Sequence, residues 1–130
     1  MDDAEAWTVD LQLEVPPAAH HAMETRAAVA EWNEGRLTVW AGAQDPFYQC
    51  DVLARALGLS ANQVVMQSMR IGGAFGGKTL CTVELEAAVL ARAVGQPVKV
   101  QWTRAQELAQ AFHRPPSSHR VRARVRDGRL

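Results

Sequence analysis

The chain has 130 residues, 48% of them apolar and 22% charged, which is enough for one ordinary core and excludes disordered and collagen-like polymers. No apolar run approaches the roughly 18 residues of a spanning helix, and the start Met1-Asp2-Asp3-Ala4-Glu5 lacks the basic and apolar segments of a signal peptide, so a soluble segment with no membrane insertion is expected. The formal charge is zero, yet residues 1–51 hold ten acids against two arginines (2 − 10 = −8) and residues 52–130 hold twelve basic groups against four acids (12 − 4 = +8).

Trp7 to Val15 alternates, with Trp7, Val9, Leu11, Leu13 and Val15 on one side, and predicts a strand stopped by Pro16-Pro17. Ala27 to Trp32 and Leu37 to Ala41 flank the polar stretch Asn33-Glu34-Gly35-Arg36 and predict a hairpin. Asp45-Pro46 has the form of a helix cap followed by proline at the first helical position. With the stripe Val52, Leu53, Ala56 and Leu57 and the stop Gly58, it predicts a helix over about 46–57. Ser60 to Gln63 has capping-box spacing, but the β-branched pair Val64-Val65 behind it predicts a strand to about Met69. After a glycine-rich stretch, Val83, Ala87, Leu90 and Val94 recur at helical spacing from about Leu80, with Glu84 and Glu86 near the positive end of the dipole and Gly95 as terminator. Pro97 to Trp102 predicts a strand, Ala105 to Ala111 a short helix, and Val121 to Val125 a strand with Arg120, Arg122, Arg124 and Arg126 on its other face.

The order strand, hairpin, helix, strand, glycine loop, helix, strand, strand has no repeat and no linker. It predicts an α+β fold with mixed α/β layers, as a single domain over 1–130. Asp127-Gly128 is a turn signal with two residues behind it, so a piece excised from a longer chain is expected.

The chemistry concentrates in Gly72-Gly73-Ala74-Phe75-Gly76-Gly77-Lys78-Thr79, between a predicted strand and a predicted helix. Glycines at this density let the main chain adopt positive φ and approach a ligand closely, and the following helix N-terminus offers N–H groups to an anion. A phosphate-bearing ligand is the natural guest, and a ligand-free tight turn is the blander reading. Gly72 to Thr79 also satisfies the P-loop pattern G-x-x-x-x-G-K-[ST], which makes a small nucleotide hydrolase the alternative. That reading lacks its magnesium-binding aspartate, because the candidate strands end in Gly42-Ala43-Gln44 and Thr103-Arg104.

The stretches His21 to Arg26, Leu37 to Gln44, Leu57-Gly58-Leu59, Ile71 to Lys78, Gly95 to Lys99 and Trp102-Thr103-Arg104, in that order, make the chain resemble the molybdopterin-binding large subunits of molybdenum hydroxylases. That family includes xanthine dehydrogenase, aldehyde oxidase and the isoquinoline and nicotinate oxidoreductases. The resemblance implies a piece of a subunit several hundred residues long. It implies a molybdenum-bearing pterin, in some members a dinucleotide, and iron-sulfur clusters in a small partner subunit or domain. It further implies that Gln44 hydrogen-bonds a ligand oxygen on the metal and that Gly73, Ala74, Phe75 and Gly76 lie against metal and pterin. The implied reaction hydroxylates a carbon beside nitrogen or oxygen, in an N-heterocycle or aldehyde, with oxygen from water. The catalytic glutamate sits in a Gly-x-Gly-Glu segment that this sequence lacks, so no catalytic residue is expected here and the piece alone should be inactive. Thr79 stands where xanthine-oxidising members carry a substrate-contacting glutamate, which argues against purines and places Thr79 at the substrate pocket. Cytoplasm and periplasm both remain open for the parent enzyme.

Other residues carry blander readings. Cys50 and Cys81 suit core positions, and His20, His21, His113 and His119 lack the spacing of a direct metal site. Glu24 reads as a structural carboxylate paired with a base such as Arg26, and Lys78 either neutralises a phosphate or caps the loop. The arginine row reads as a solvated or subunit-facing surface; without interleaved aromatics, no nucleic-acid partner is expected.

Overall fold

The computed structural model describes residues 7–129, so the Met1 to Glu5 start considered above lies outside the described residues. These residues form two compact units, one from residues 7–18 and 113–129 and one from Ala19–Phe112.

The first unit is a two-stranded antiparallel ribbon of β1 (Val9–Val15) and β6 (Ser117–Ala123). The strand expected at 121–125 therefore lies earlier in sequence, with its first half written in polar residues. Leu11 pairs with Val121 on one face, while Asp10 and Gln12 oppose Arg122 and Arg120 on the other. Arg120 donates two hydrogen bonds to Asp10, at 2.8 and 2.7 Å, and Arg122 lies 3.5 Å from the same carboxylate. Trp7 lies under the Arg122 and Arg124 guanidinium groups, 5.7 and 4.5 Å from its ring centroid. The expected uniformly cationic face is thus partly neutralised, and an aromatic ring packs beside it. Asp127 and Gly128 both take positive φ in a turn that bridges Arg126 to Arg129.

The second unit is a four-stranded sheet in the order β4 (Val64–Ser68), β3 (Arg36–Ala41), β2 (Ala27–Asn33), β5 (Val98–Gln101). Neighbours are antiparallel except β3 and β4, which run parallel because α1 (Pro46–Leu57) crosses between them. Helix α1 is fixed by local signals: Asp45 accepts from Tyr48 N–H at 2.9 Å, and Gly58 closes the helix at φ +69°. The Ser60 capping box is real, but it starts only a 3₁₀ turn over Ala61–Gln63 before β4 begins. Helix α2 (Val83–Val94) begins three residues later than expected, and α3 (Arg104–Gln110) carries a Thr103–Gln106 capping box.

The core joins Ala28 and Ala30 of β2 and Leu37, Val39 and Ala41 of β3 to Leu53 and Ala54 of α1 and Val83, Ala87, Ala88 and Ala91 of α2. The expected stripes are thereby corrected. In α1, Ala54 and Gln49 are buried while Ala56 is exposed. In α2 the alanines face the sheet, and Leu90 and Val94 are exposed. Alanine opposite alanine lets α2 lie close to β2, and Trp32 Nε1 donates to Ala88 O at 2.8 Å. The cysteines are free and half-buried against this core; burial, reinforced by Glu84, pushes the Cys81 thiol up to about 12. No helix among the described residues is long and apolar enough to cross a membrane.

Candidate functional site

Parallel pairing of β3 and β4 puts their carboxyl ends side by side: Ala41 is paired with Ser68, and Met69 N–H donates to Ala41 O at 2.9 Å. The segments leaving these two ends are Gly42-Ala43-Gln44 and the glycine loop. Two stretches far apart in sequence therefore meet at the strand end where open α/β sheets place their ligands. Gln44 N–H donates to Lys78 O at 3.2 Å, and Gln44 Oε1 accepts from Lys78 N–H at 3.1 Å. With its oxygen committed to an N–H donor, the Gln44 amide has a fixed orientation. Its Nε2 group, on an exposed side chain, has no protein acceptor among the described residues. Thr79 Oγ1 donates to Gly76 O at 3.1 Å and lies 3.5 Å from Gln44 Oε1, so Gln44, Thr79 and the loop form one cluster.

Within the loop, Gly73 and Gly76 have φ of +96° and +93°. Phe75 is also left-handed, at +54°, and 74% exposed. A bulky residue in that region costs about 1–2 kcal/mol, and an exposed phenyl ring adds no core packing in return. Ala74 has no positive φ and is tolerated without strain. Gly72 serves a different need, since a Cβ there would stand 2.7 Å from Glu24 Cβ. Among the described residues, the N–H groups of Gly73, Ala74, Phe75 and Gly76 have no protein acceptor, whereas those of Gly72, Gly77, Lys78 and Thr79 do. Four consecutive main-chain donors without a protein acceptor, with positive φ at Gly73, Phe75 and Gly76 and a buried Ala74 among them, form a run able to meet electron-rich ligand atoms.

The remainder of the loop is tied down from below. Lys78 is only 5% exposed, and its Nζ sits 2.5 Å from Glu24 Oε2, which also accepts from Gly72 N–H at 2.8 Å. The Lys78 hydrogen bond holds the Glu24 carboxyl below the ordinary glutamate range; partial burial opposes it and Gly72 N–H assists. Glu24 thus pairs with Lys78 and not with Arg26. Arg26, also buried, donates to Gly77 O and pairs with Glu107 at 3.1 Å. Gln49, wholly buried, donates from Nε2 to Lys78 O at 3.0 Å and Thr79 O at 3.3 Å. The His20 ring lies under Gly76 and Gly77 and belongs to an irregular segment, not to a strand. Gln49 escaped notice in the sequence, although a glutamine four residues before Leu53 on the inner face of α1 was its available signal.

This geometry removes the P-loop alternative. Its lysine is turned inward onto a carboxylate and is not free to meet a phosphate. The helix does not open at the loop either. Leu80, Cys81 and Thr82 intervene, and the N-terminus of α2 is closed by Glu84 accepting from Thr82 N–H at 2.8 Å, so the expected helix-end anion site is occupied by a side chain. Burial pushes the Glu84 carboxyl up.

The whole chain, residues 1–130, matches the family model of the molybdopterin cofactor-binding domain and belongs to that family. Over 118 residues it is 36% identical to the aldehyde oxidoreductase molybdenum-binding subunit PaoC of Escherichia coli K12, covering 90% of this chain and 16% of that one. It is 32% identical to xanthine dehydrogenase of Emericella nidulans over 85% of this chain and 8% of that one. Quinoline 2-oxidoreductase from Pseudomonas putida 86 has a similar fold, with a TM-score of 0.75 at 29% identity, over 81% of this chain and 14% of that one. The chain therefore spans less than a fifth of the length of these proteins.

Proposed function

We propose that residues 1–130 are one piece of the molybdenum-cofactor domain of a longer oxidoreductase subunit. In that subunit Gly73, Ala74, Phe75 and Gly76 lie against the cofactor, Gln44 donates to a ligand oxygen on the metal, and Thr79 borders the substrate. The observation that carries this reading is the run of four open N–H groups beside an outward Phe75 and the donor end of Gln44. The ring carbonyl and an unprotonated ring nitrogen of a pterin, and an oxygen ligand of its metal, would accept hydrogen bonds, so the donor set fits them, and the strained, exposed Phe75 suits a flat apolar neighbour that excludes water.

When bound, the cofactor supplies the redox centre for hydroxylating a carbon beside nitrogen or oxygen with oxygen drawn from water. The residues of this chain bind and orient. Lys78 N–H holds the Gln44 oxygen, so the amide offers hydrogens at one fixed point. Glu24 and Lys78 are paired with each other, which leaves the general base to another part of the subunit, and the piece alone is inactive. Iron-sulfur centres in a partner subunit or domain would supply the exit for electrons. The substrate is an N-heterocycle or aldehyde; relatives named for aldehydes and quinoline support this, and a threonine in place of a purine-contacting glutamate speaks against xanthine. The test is metal analysis of the purified full subunit, together with the fluorescence of its oxidised pterin. About one molybdenum and one pterin per chain are expected; a subunit expressed under molybdate that holds neither overturns the reading.

A further inference from the structure

One carboxylate oxygen reaches both ends of the glycine loop. Glu24 Oε2 takes the N–H of Gly72, the loop's first residue, and the ammonium of Lys78, near its last. Glu24 N–H also donates to Gly72 O at 3.1 Å. The four open donors, Gly73 to Gly76, lie between these two fixed points. A buried ammonium is strongly disfavoured unless paired, so Lys78 is held inward by the same contact that fixes the distance between the loop's ends.

We propose that Glu24 and Lys78 are positioning residues, a staple that presets the left-handed Phe75 turn and its open amides before any ligand arrives. The presetting stands on the contacts of this chain; that the preset loop receives a molybdenum pterin rests on the reading above. Preorganisation of this kind strengthens binding because the ordering cost is met on folding and not on binding.

Exposed Phe75 provides the readout, since chymotrypsin should cleave after it faster when the loop opens than when it is held in its left-handed turn. In the full subunit freed of cofactor, Lys78→Met and Glu24→Gln should each raise the rate of nicking after Phe75 by tenfold or more, and Lys78→Arg should restore most of the protection. Molybdenum content of the loaded subunit should fall in the same order. A lysine that instead contacts a ligand phosphate predicts a different pattern, in which Lys78→Met leaves nicking of the cofactor-free chain unchanged and lowers only cofactor content. That result overturns the proposal, as does Glu24→Gln without effect on nicking. Should Lys78→Met not fold, Glu24→Gln carries the test alone, because its amide oxygen still accepts from Gly72 N–H. A subunit that never binds molybdenum would still give a nicking result, so the two readings fail separately.

Discussion

Two glycine-bearing turns in this chain are built by opposite means. The hairpin turn at Glu34 and Gly35 takes positive φ at both residues and is enclosed by its own strands; a Cβ on Gly35 meets nothing within 4 Å. A side chain from outside the hairpin reaches it through a 3.1 Å hydrogen bond from Gln63 to Gly35 O. The loop from Gly72 to Thr79 is held by Glu24, Arg26, Gln44 and Gln49, which reach it across 29 to 54 positions of sequence. A turn that only reverses the chain needs local signals. A loop fastened from distant elements by a buried arginine, a carboxylate and two glutamines, with its middle amides left without acceptors, is being kept in a shape for something else to use.

The contrast can be broken most severely at Arg26. Arg26→Ala leaves the Gly77 carbonyl without its donor and Glu107 with only the residue-26 backbone N–H in a largely buried setting, and about 3 kcal/mol of unfolding free energy should be lost, measured by urea titration. Gly72→Ala forces a methyl against Glu24 and should cost about 1–3 kcal/mol, with increased proteolysis in the loop. Gly35→Ala, which meets open space and pays only for its positive φ, should cost about 1 kcal/mol and leave loop proteolysis unchanged. If Gly35→Ala proved the more damaging of the two glycine changes, the contrast between local and distant support would be wrong.

Smaller effects sharpen the same comparison. The folded-state pKa of Glu24 is depressed, so its stabilising contribution is present above the ordinary glutamate pKa and is lost as pH falls through the depressed value. The stability difference between wild type and Glu24→Gln should be full near neutrality and shrink in acid; a difference independent of pH would remove the charge from the account. Cys81, its thiol pushed up to about 12 chiefly by burial, should react with maleimide near neutral pH far more slowly than an unfolded cysteine.

Features with local causes were legible in the sequence. Asp45-Pro46 and Gly58 bound α1, and Asn33 to Arg36 join the hairpin, because a cap or a positive φ is a property of a few adjacent residues. The α2 stripe was misread because Leu90 and Val94 dominate a periodicity count, while packing chose alanines that let the helix approach the sheet. The early half of β6 is hidden in Ser117, Ser118 and His119, whose strand character comes from pairing with Val15, Glu14 and Leu13 respectively. The glycine loop was visible by composition and Gln44 through its family pattern. The inward turn of Lys78 was not, since it depends on a carboxylate 54 residues away.

The most direct test of the central claim is the molybdenum content of the full subunit carrying Gly73→Val and Gly76→Val. Both substitutions fall on positive-φ positions in the run of amides without acceptors, and neither residue is itself bonded to Glu24 or Arg26. The account predicts a folded subunit by circular dichroism with less than about a tenth of wild-type molybdenum, a loss of at least 1.4 kcal/mol in binding. A folded variant with undiminished molybdenum would contradict it.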